Sequence, residues 1–208
     1  MMLGALCAPG TAFAEKLTIN AAQIKWFKSQ SIGKPVGIDL IWRGGLHLTS
    51  THPDFGGLSD LTFTSQNGDL AIVTDKGRMI TAQMSYDATN APIAINNAEI
   101  NRIKNSKGAN LPSSFSRDPE AIDTIYRNGT PSAVRVGFEH LTRVADFGLI
   151  DGKPEGAAKD YALPNWITRQ RNNGSIESLC IAPPTSPVAG STLVILEDVR
   201  DQKGNNRA

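Results

Sequence analysis

Apolar residues along this chain come in short runs broken every few positions by Gly, Asn, Asp or Pro, and almost nothing repeats at 3.6 residues. That pattern predicts strands rather than helices. The predicted strands cover 58–64, 70–74, 79–86, 93–103, 121–126, 133–138, 143–147, 177–182 and 192–196. Turn signals join several of them: Gln66-Asn67-Gly68-Asp69, Asp75-Lys76-Gly77-Arg78, Arg127-Asn128-Gly129 and Asp151-Gly152. Helical turns are expected only around 163–169, after Leu163-Pro164-Asn165. Many short strands with regular turns imply an all-β domain.

The strands also repeat. Gly57-Leu58-Ser59-Asp60-Leu61-Thr62-Phe63, a glycine turn and Leu70-Ala71-Ile72-Val73-Thr74-Asp75 form one unit. Asp118-Pro119-Glu120-Ala121-Ile122, Asn128-Gly129 and Val134-Arg135-Val136-Gly137-Phe138-Glu139 form a second. Gly174-Ser175-Ile176-Glu177-Ser178-Leu179-Cys180-Ile181, Pro183-Pro184 with Gly190, and Leu193-Val194-Ile195-Leu196-Glu197 form a third. This alignment equates Asp60, Glu120 and Glu177, 60 and 57 residues apart, and equates Asp75, Glu139 and Glu197, 64 and 58 apart. About three units of roughly sixty residues, each with acids at its strand ends, predict a β-propeller-like arrangement in which those ends converge at a channel mouth. A ring of carboxylates repels itself unless its members are protonated, paired with Arg or held by a cation. Arg78, Arg117, Arg143 and Arg200 stand beside the acids. The competing reading is of ordinary hairpin-terminal acids next to surface arginines.

Composition narrows the function classes. The 208 residues carry 21 Lys+Arg and 20 Asp+Glu, a net charge of +1, so the chain as a whole presents no strong basic field for nucleic acid or an anionic membrane. Two cysteines exclude a disulfide scaffold. Residues 1–14 are small and apolar apart from Pro9 and Thr11 and end in Ala12-Phe13-Ala14, which reads as a secretory signal peptide although no Lys or Arg precedes Lys16. Leu6 before Cys7 argues against lipidation, and no later stretch is long enough for a transmembrane helix. The expected location is periplasmic or secreted, with Cys180 the one cysteine left after cleavage.

Further blocks carry a family resemblance. Trp42-Arg43-Gly44-Gly45-Leu46, Phe55-Gly56-Gly57-Leu58-Ser59-Asp60-Leu61, Asp75-Lys76-Gly77-Arg78, Arg117-Asp118-Pro119-Glu120-Ala121, Phe138-Glu139, Asn173-Gly174-Ser175-Ile176-Glu177-Ser178-Leu179 and Glu197-Asp198 occur in order. From Trp42 onward the chain resembles the "esterase-like activity of phytase" family, exported bacterial proteins regarded as propeller-like. Ser175, Ser178 and Asp60 depart from it, standing where the family more often has Gly, Ala and Gly. The resemblance implies a phosphoester or carboxylic-ester hydrolase. Family members continue past Glu197-Asp198, so residues 15–208 are expected to be a propeller domain truncated at its C-terminus.

A phytase-type site would use carboxylates to hold a cation, calcium being the expected one, that activates water and meets the substrate. The resemblance then implies Asp75, Glu177 and Glu197 as metal ligands and Glu120, Glu139, Arg117 and Arg78 as catalytic residues, the arginines, with Arg143, clamping phosphate oxygens. His140 is a candidate general acid or a solvated hairpin histidine. A serine-hydrolase reading has little support, because Gly57-Leu58-Ser59-Asp60-Leu61 lacks the second glycine and the following helix of a nucleophile elbow. Two classes stay open: a metal-assisted hydrolase of a small ester or phosphate, and a non-catalytic binding propeller or an inactive fragment of one.

Overall fold

The computed structural model describes residues 14–27, 30–36, 40–169 and 174–197. The segment read as a signal peptide, apart from Ala14, and Asn173, Asp198 and Arg200 lie outside the described residues. Fifteen strands make up almost all of the regular secondary structure among the described residues. The N-terminal ones are β1 (Glu15–Lys16), β2 (Asn20–Ile24), β3 (Trp26–Phe27), β4 (Gln30–Ser31) and β5 (Gly45–Thr49). Next come β6 (Leu58–Phe63), β7 (Asp69–Thr74), β8 (Arg78–Tyr86) and β9 (Pro92–Arg102), then β10 (Pro119–Arg127), β11 (Thr130–Phe138), β12 (Arg143–Ile150) and β13 (Lys153–Asp160). The last are β14 (Ile176–Ile181) and β15 (Thr192–Leu196), preceded by the four-residue helix α1 (Asn165–Thr168). The chain is all-β, as its pattern predicts.

Connectivity is local. β6 to β9 form an antiparallel meander to which β1 adds on the far side of β9, β10 to β13 form a second meander, and β14 pairs with β15. Asn128-Gly129 and Asp151-Gly152 both have positive φ at each residue (51° and 77°, 50° and 77°), the backbone of a two-residue turn whose twist matches the flanking strands.

The sheets stack face to face, which explains the run Leu70-Ala71-Ile72-Val73. In β7 alternate side chains point to opposite faces. Leu70 and Ile72 join Ile80, Ile95, Ile100 and Leu17 in one core, closed by Leu46 and Leu48 of β5. Ala71 and Val73 join Met79 and residues of the second meander, Ile122, Val134, Val136, Phe138 and Phe147, in the other. With both faces covered, a strand has no polar alternation to show. β10 in turn lies against both β6 and β14.

Side chain to backbone bonds tie the sheets together. The Ile122 N–H donates to Asp60 Oδ2 (2.9 Å), and the Ile181 N–H donates to Asp123 Oδ2 (2.7 Å). Arg135, almost fully buried, is held by both oxygens of Asp146 (2.7 and 2.8 Å), bonds Thr192 of β15 and stacks on Tyr161.

β13 was missing from the expected strands. Its sequence, Lys-Pro-Glu-Gly-Ala-Ala-Lys-Asp, buries only Ala158, and it is an edge strand, where Pro and Gly are tolerated. The N-terminal strands were missed too, being two to five residues long.

Candidate active site

Three bulges position the site. In each unit one residue near the start of the first strand has no partner in the register: Ser59 between Leu58 and Asp60, Glu120 between Pro119 and Ala121, and Glu177 between Ile176 and Ser178. The structural repeat therefore equates Ser59, not Asp60, with Glu120 and Glu177. A bulge inserts a residue and re-aims its side chain. Asp60 is left to its inter-sheet bond with Ile122.

The second set holds as expected. The N–H groups of Asp75, Glu139 and Glu197 donate to the carbonyls of Gly57, Asp118 and Ser175 at 2.9, 2.9 and 3.1 Å, one equivalent bond per unit. Each hairpin thus closes at the same end, and the bulge carboxylates lie near the closing acids, Glu120 with Glu139 and Glu177 with Glu197, while the Ser59 side chain bonds Glu120.

Units two and three bring their acids together. Carboxylate oxygens of Glu139, Glu177 and Glu197 lie within 4.8 Å of one another, and ligand atoms of Asp118, Glu139 and His140 make a second such group. Glu139, buried, belongs to both; its Oε1 accepts from the Gly174 N–H (3.0 Å) and its Oε2 lies 3.5 Å from His140 Nδ1. His140 Nδ1 also bonds Asp118 Oδ2. Burial and neighbouring charge raise two of these carboxyls. Burial first, and the neighbouring Asp118 charge second, push the Glu120 carboxyl up to about 7, against a lowering hydrogen bond from Ser59. Glu177 is raised as well, by desolvation and then by its contact with Glu139.

A pocket of about 580 Å³ opens alongside, lined by Asp54, Asp75, Lys76, Arg78, Ser114, Arg117, Asp118 and His140. Arg78 starts β8 and is buried, and its Nη2 meets Asp54 Oδ2 at 2.6 Å. Its Nε and Nη1, and Nε of Arg117, are buried without a hydrogen-bond partner among the described residues.

Of the residues expected at the site, Glu139, Glu177 and Glu197 converge, with Glu120 beside Asp118. Arg78 and Arg117 share the pocket. Asp75 lines that pocket and belongs to neither acid group, while Glu139 belongs to both. Arg143 does not line the pocket: it pairs with Asp160 (2.9 Å) and stacks on Phe138, and burial lowers its pKa. Ser175 is fully buried and its hydroxyl bonds Thr142 (2.7 Å), a structural contact between the second and third units.

Sequence reasoning passed over Asp118, Asp54 and Lys76 and gave His140 no partner. Asp118 was legible only as the residue before Pro119. Its meeting with His140 depends on the β10–β11 hairpin closing.

Repeated hairpins whose ends converge on carboxylates, beside a pocket with buried guanidinium groups, define the class as an all-β protein of repeated hairpins. The family comparison agrees: the phytase-like model, described as esterase-like activity of phytase, matches residues 53–207, and the chain belongs to that family. No curated protein and no solved structure matches the chain. No helix among the described residues is long and apolar enough to cross a membrane.

Proposed function

We propose that the protein is an exported, metal-assisted hydrolase of small phosphate or carboxylic esters, its stacked sheets acting as propeller-like blades around the site. The observation that carries this is the convergence of Glu139, Glu177 and Glu197 beside a pocket containing Arg78 and Arg117. Three carboxylates within 4.8 Å are hard oxygen donors that suit calcium, and Glu177, raised first by burial and then by its contact with Glu139, would ionise more readily beside a cation.

A cation held there supplies Lewis acidity and an acidified water. The chain's own residues do the rest. Arg78 and Arg117 orient the substrate's oxyanion. Glu120, its carboxyl raised to about 7 by burial and by the Asp118 charge, takes the proton from the attacking water when ionised. His140, held by Asp118, delivers one to the leaving oxygen. Export rests on the leader-like residues 1–14 and on the family resemblance.

The test is hydrolysis of p-nitrophenyl phosphate and p-nitrophenyl acetate by the purified chain, with EDTA and after calcium is restored. The reading expects turnover that EDTA abolishes and calcium recovers. Turnover indifferent to EDTA removes the metal role, and no turnover of either ester leaves a binding module in its place.

A further inference from the structure

We infer that the N-terminal hairpins dock on a bilayer surface bearing anionic headgroups. Trp26, Phe27, Leu40 and Ile41 enter the interface, and Lys25, Lys34 and Arg43 meet the headgroup phosphates. The inference is independent of the hydrolase reading.

The net charge of +1 conceals an uneven distribution. Residues 16–53 hold five Lys or Arg and one Asp, a net charge of +4, so the rest of the chain sums to −3. Lys25, Lys34 and Arg43 are exposed, and none of them is ion-paired among the described residues. Backbone bonds gather them. The Ile32 N–H donates to Lys25 O (3.2 Å), the Gly33 N–H to Trp42 O (2.6 Å) and the Trp42 N–H to Lys34 O (3.0 Å). One small framework thus carries three cations with apolar residues between them.

Those apolar residues are out of place in water. β3 and β4 pair only with each other, and Trp26 and Phe27, neighbours on β3, point to opposite faces of that hairpin. Both are exposed, Trp26 at 62%, as are Leu40 at 70% and Ile41. The Phe27 ring lies 5.4 Å from that of Trp42, which links the first hairpin to the residues following Leu40 and Ile41. Single exposed apolar side chains are ordinary, whereas several together mark an interaction surface.

A bilayer interface suits both halves of the pattern. Indole rings sit at headgroup level with aliphatic side chains beneath them, and Lys and Arg extend their stems to place the charge among the phosphates. A soluble polyanion would engage the cations and leave the apolar residues in water. Leu193 and Ile195 on β15 are a second exposed apolar pair, but the chain has no Lys or Arg between Arg171 and Arg200. Charge complementarity therefore singles out the N-terminal hairpins.

The experiment is co-sedimentation of the full chain with vesicles of phosphatidylcholine and phosphatidylglycerol in equal parts, and with vesicles of phosphatidylcholine alone. The mixed vesicles are expected to bind at least about tenfold more tightly, and less so in high salt. Lys25→Gln/Lys34→Gln/Arg43→Gln should weaken that binding about tenfold or more, since each cation contributes about fivefold. Trp26→Ser/Leu40→Ser should weaken it about tenfold. All five positions are exposed, so an unchanged melting temperature is expected to show that the variants fold. Absence of binding to mixed vesicles overturns the proposal. Equal binding by the parent and folded Trp26→Ser/Leu40→Ser overturns it too, assigning the attachment to the apolar residues 1–14 or to charge alone. So does dimerisation in gel filtration that Trp26→Ser/Leu40→Ser abolishes while no vesicle binds, which gives the face to a second copy of the chain.

Discussion

The carboxylate of Asp75 fills the space where a side chain at position 57 would begin: a Cβ on Gly57 would lie 1.9 Å from Asp75 Oδ1. The same two residues share the bond that closes the first hairpin, Asp75 N–H to Gly57 O at 2.9 Å. In the second and third units the residues equivalent to Gly57 are Asp118 and Ser175. Their side chains bond His140 and Thr142. One structural position therefore does three jobs.

Gly57→Ala should destabilise the protein by about 1–2 kcal/mol, because residue 57 has φ +58°, which an L side chain adopts at a cost, and because Asp75 must move. Urea unfolding measures it. A variant as stable as the parent would show that Asp75 swings aside freely.

Asp146→Ala should cost about 3 kcal/mol or more, since it strands Arg135, whose side chain is 8% exposed, without its bidentate partner. The double variant Arg135→Met/Asp146→Leu should recover much of that loss. If the double variant is no more stable than Asp146→Ala, the burial of an unpaired charge is not the cause.

Stability should fall as pH rises from about 4.5 to about 7 through Glu120. Its carboxyl is raised to about 7 in the folded state from 4.5, so its stabilising contribution is complete below 4.5 and is lost as the folded group ionises. Glu177, raised for the same physical reason, acts in the same direction. Glu120→Gln should flatten this slope in urea titrations at pH 5 and pH 8. An unchanged slope would place the pH dependence elsewhere.

Calcium should raise the melting temperature more at pH 8 than at pH 5, because a cation needs ionised carboxylates and competes with their protons. Glu139→Gln, at the residue shared by both ligand groups, should remove the shift. A calcium shift that survives Glu139→Gln would place the cation away from this cluster.

Most of the strand framework is legible in the sequence. The runs that become β6 to β12, β14 and β15 are apolar and bounded by turn residues, and burial between stacked sheets demands both features. β13 is not legible, because an edge strand with one buried alanine leaves no hydrophobic signature. The repeat was visible, yet its register at the first position was one residue out. A bulge adds a residue to one strand without changing composition or pattern, so Asp60 looked equivalent to Glu120 while Ser59 occupies that place.

By itself the sequence determined an all-β chain of repeating hairpins with an acid closing each second strand, because strand length, turn chemistry and side-chain alternation are local properties. Tertiary structure decided which acids meet and which arginines are left with open donors. Glu139 joins Glu177 and Glu197 because the second and third units pack against each other, across a separation along the chain that no local rule spans. Arg78 and Arg143 read alike in sequence, each beside a strand-end acid. One is buried in a pocket with a single acceptor and the other lies on Phe138 beside Asp160, and only the packing of neighbouring elements distinguishes them.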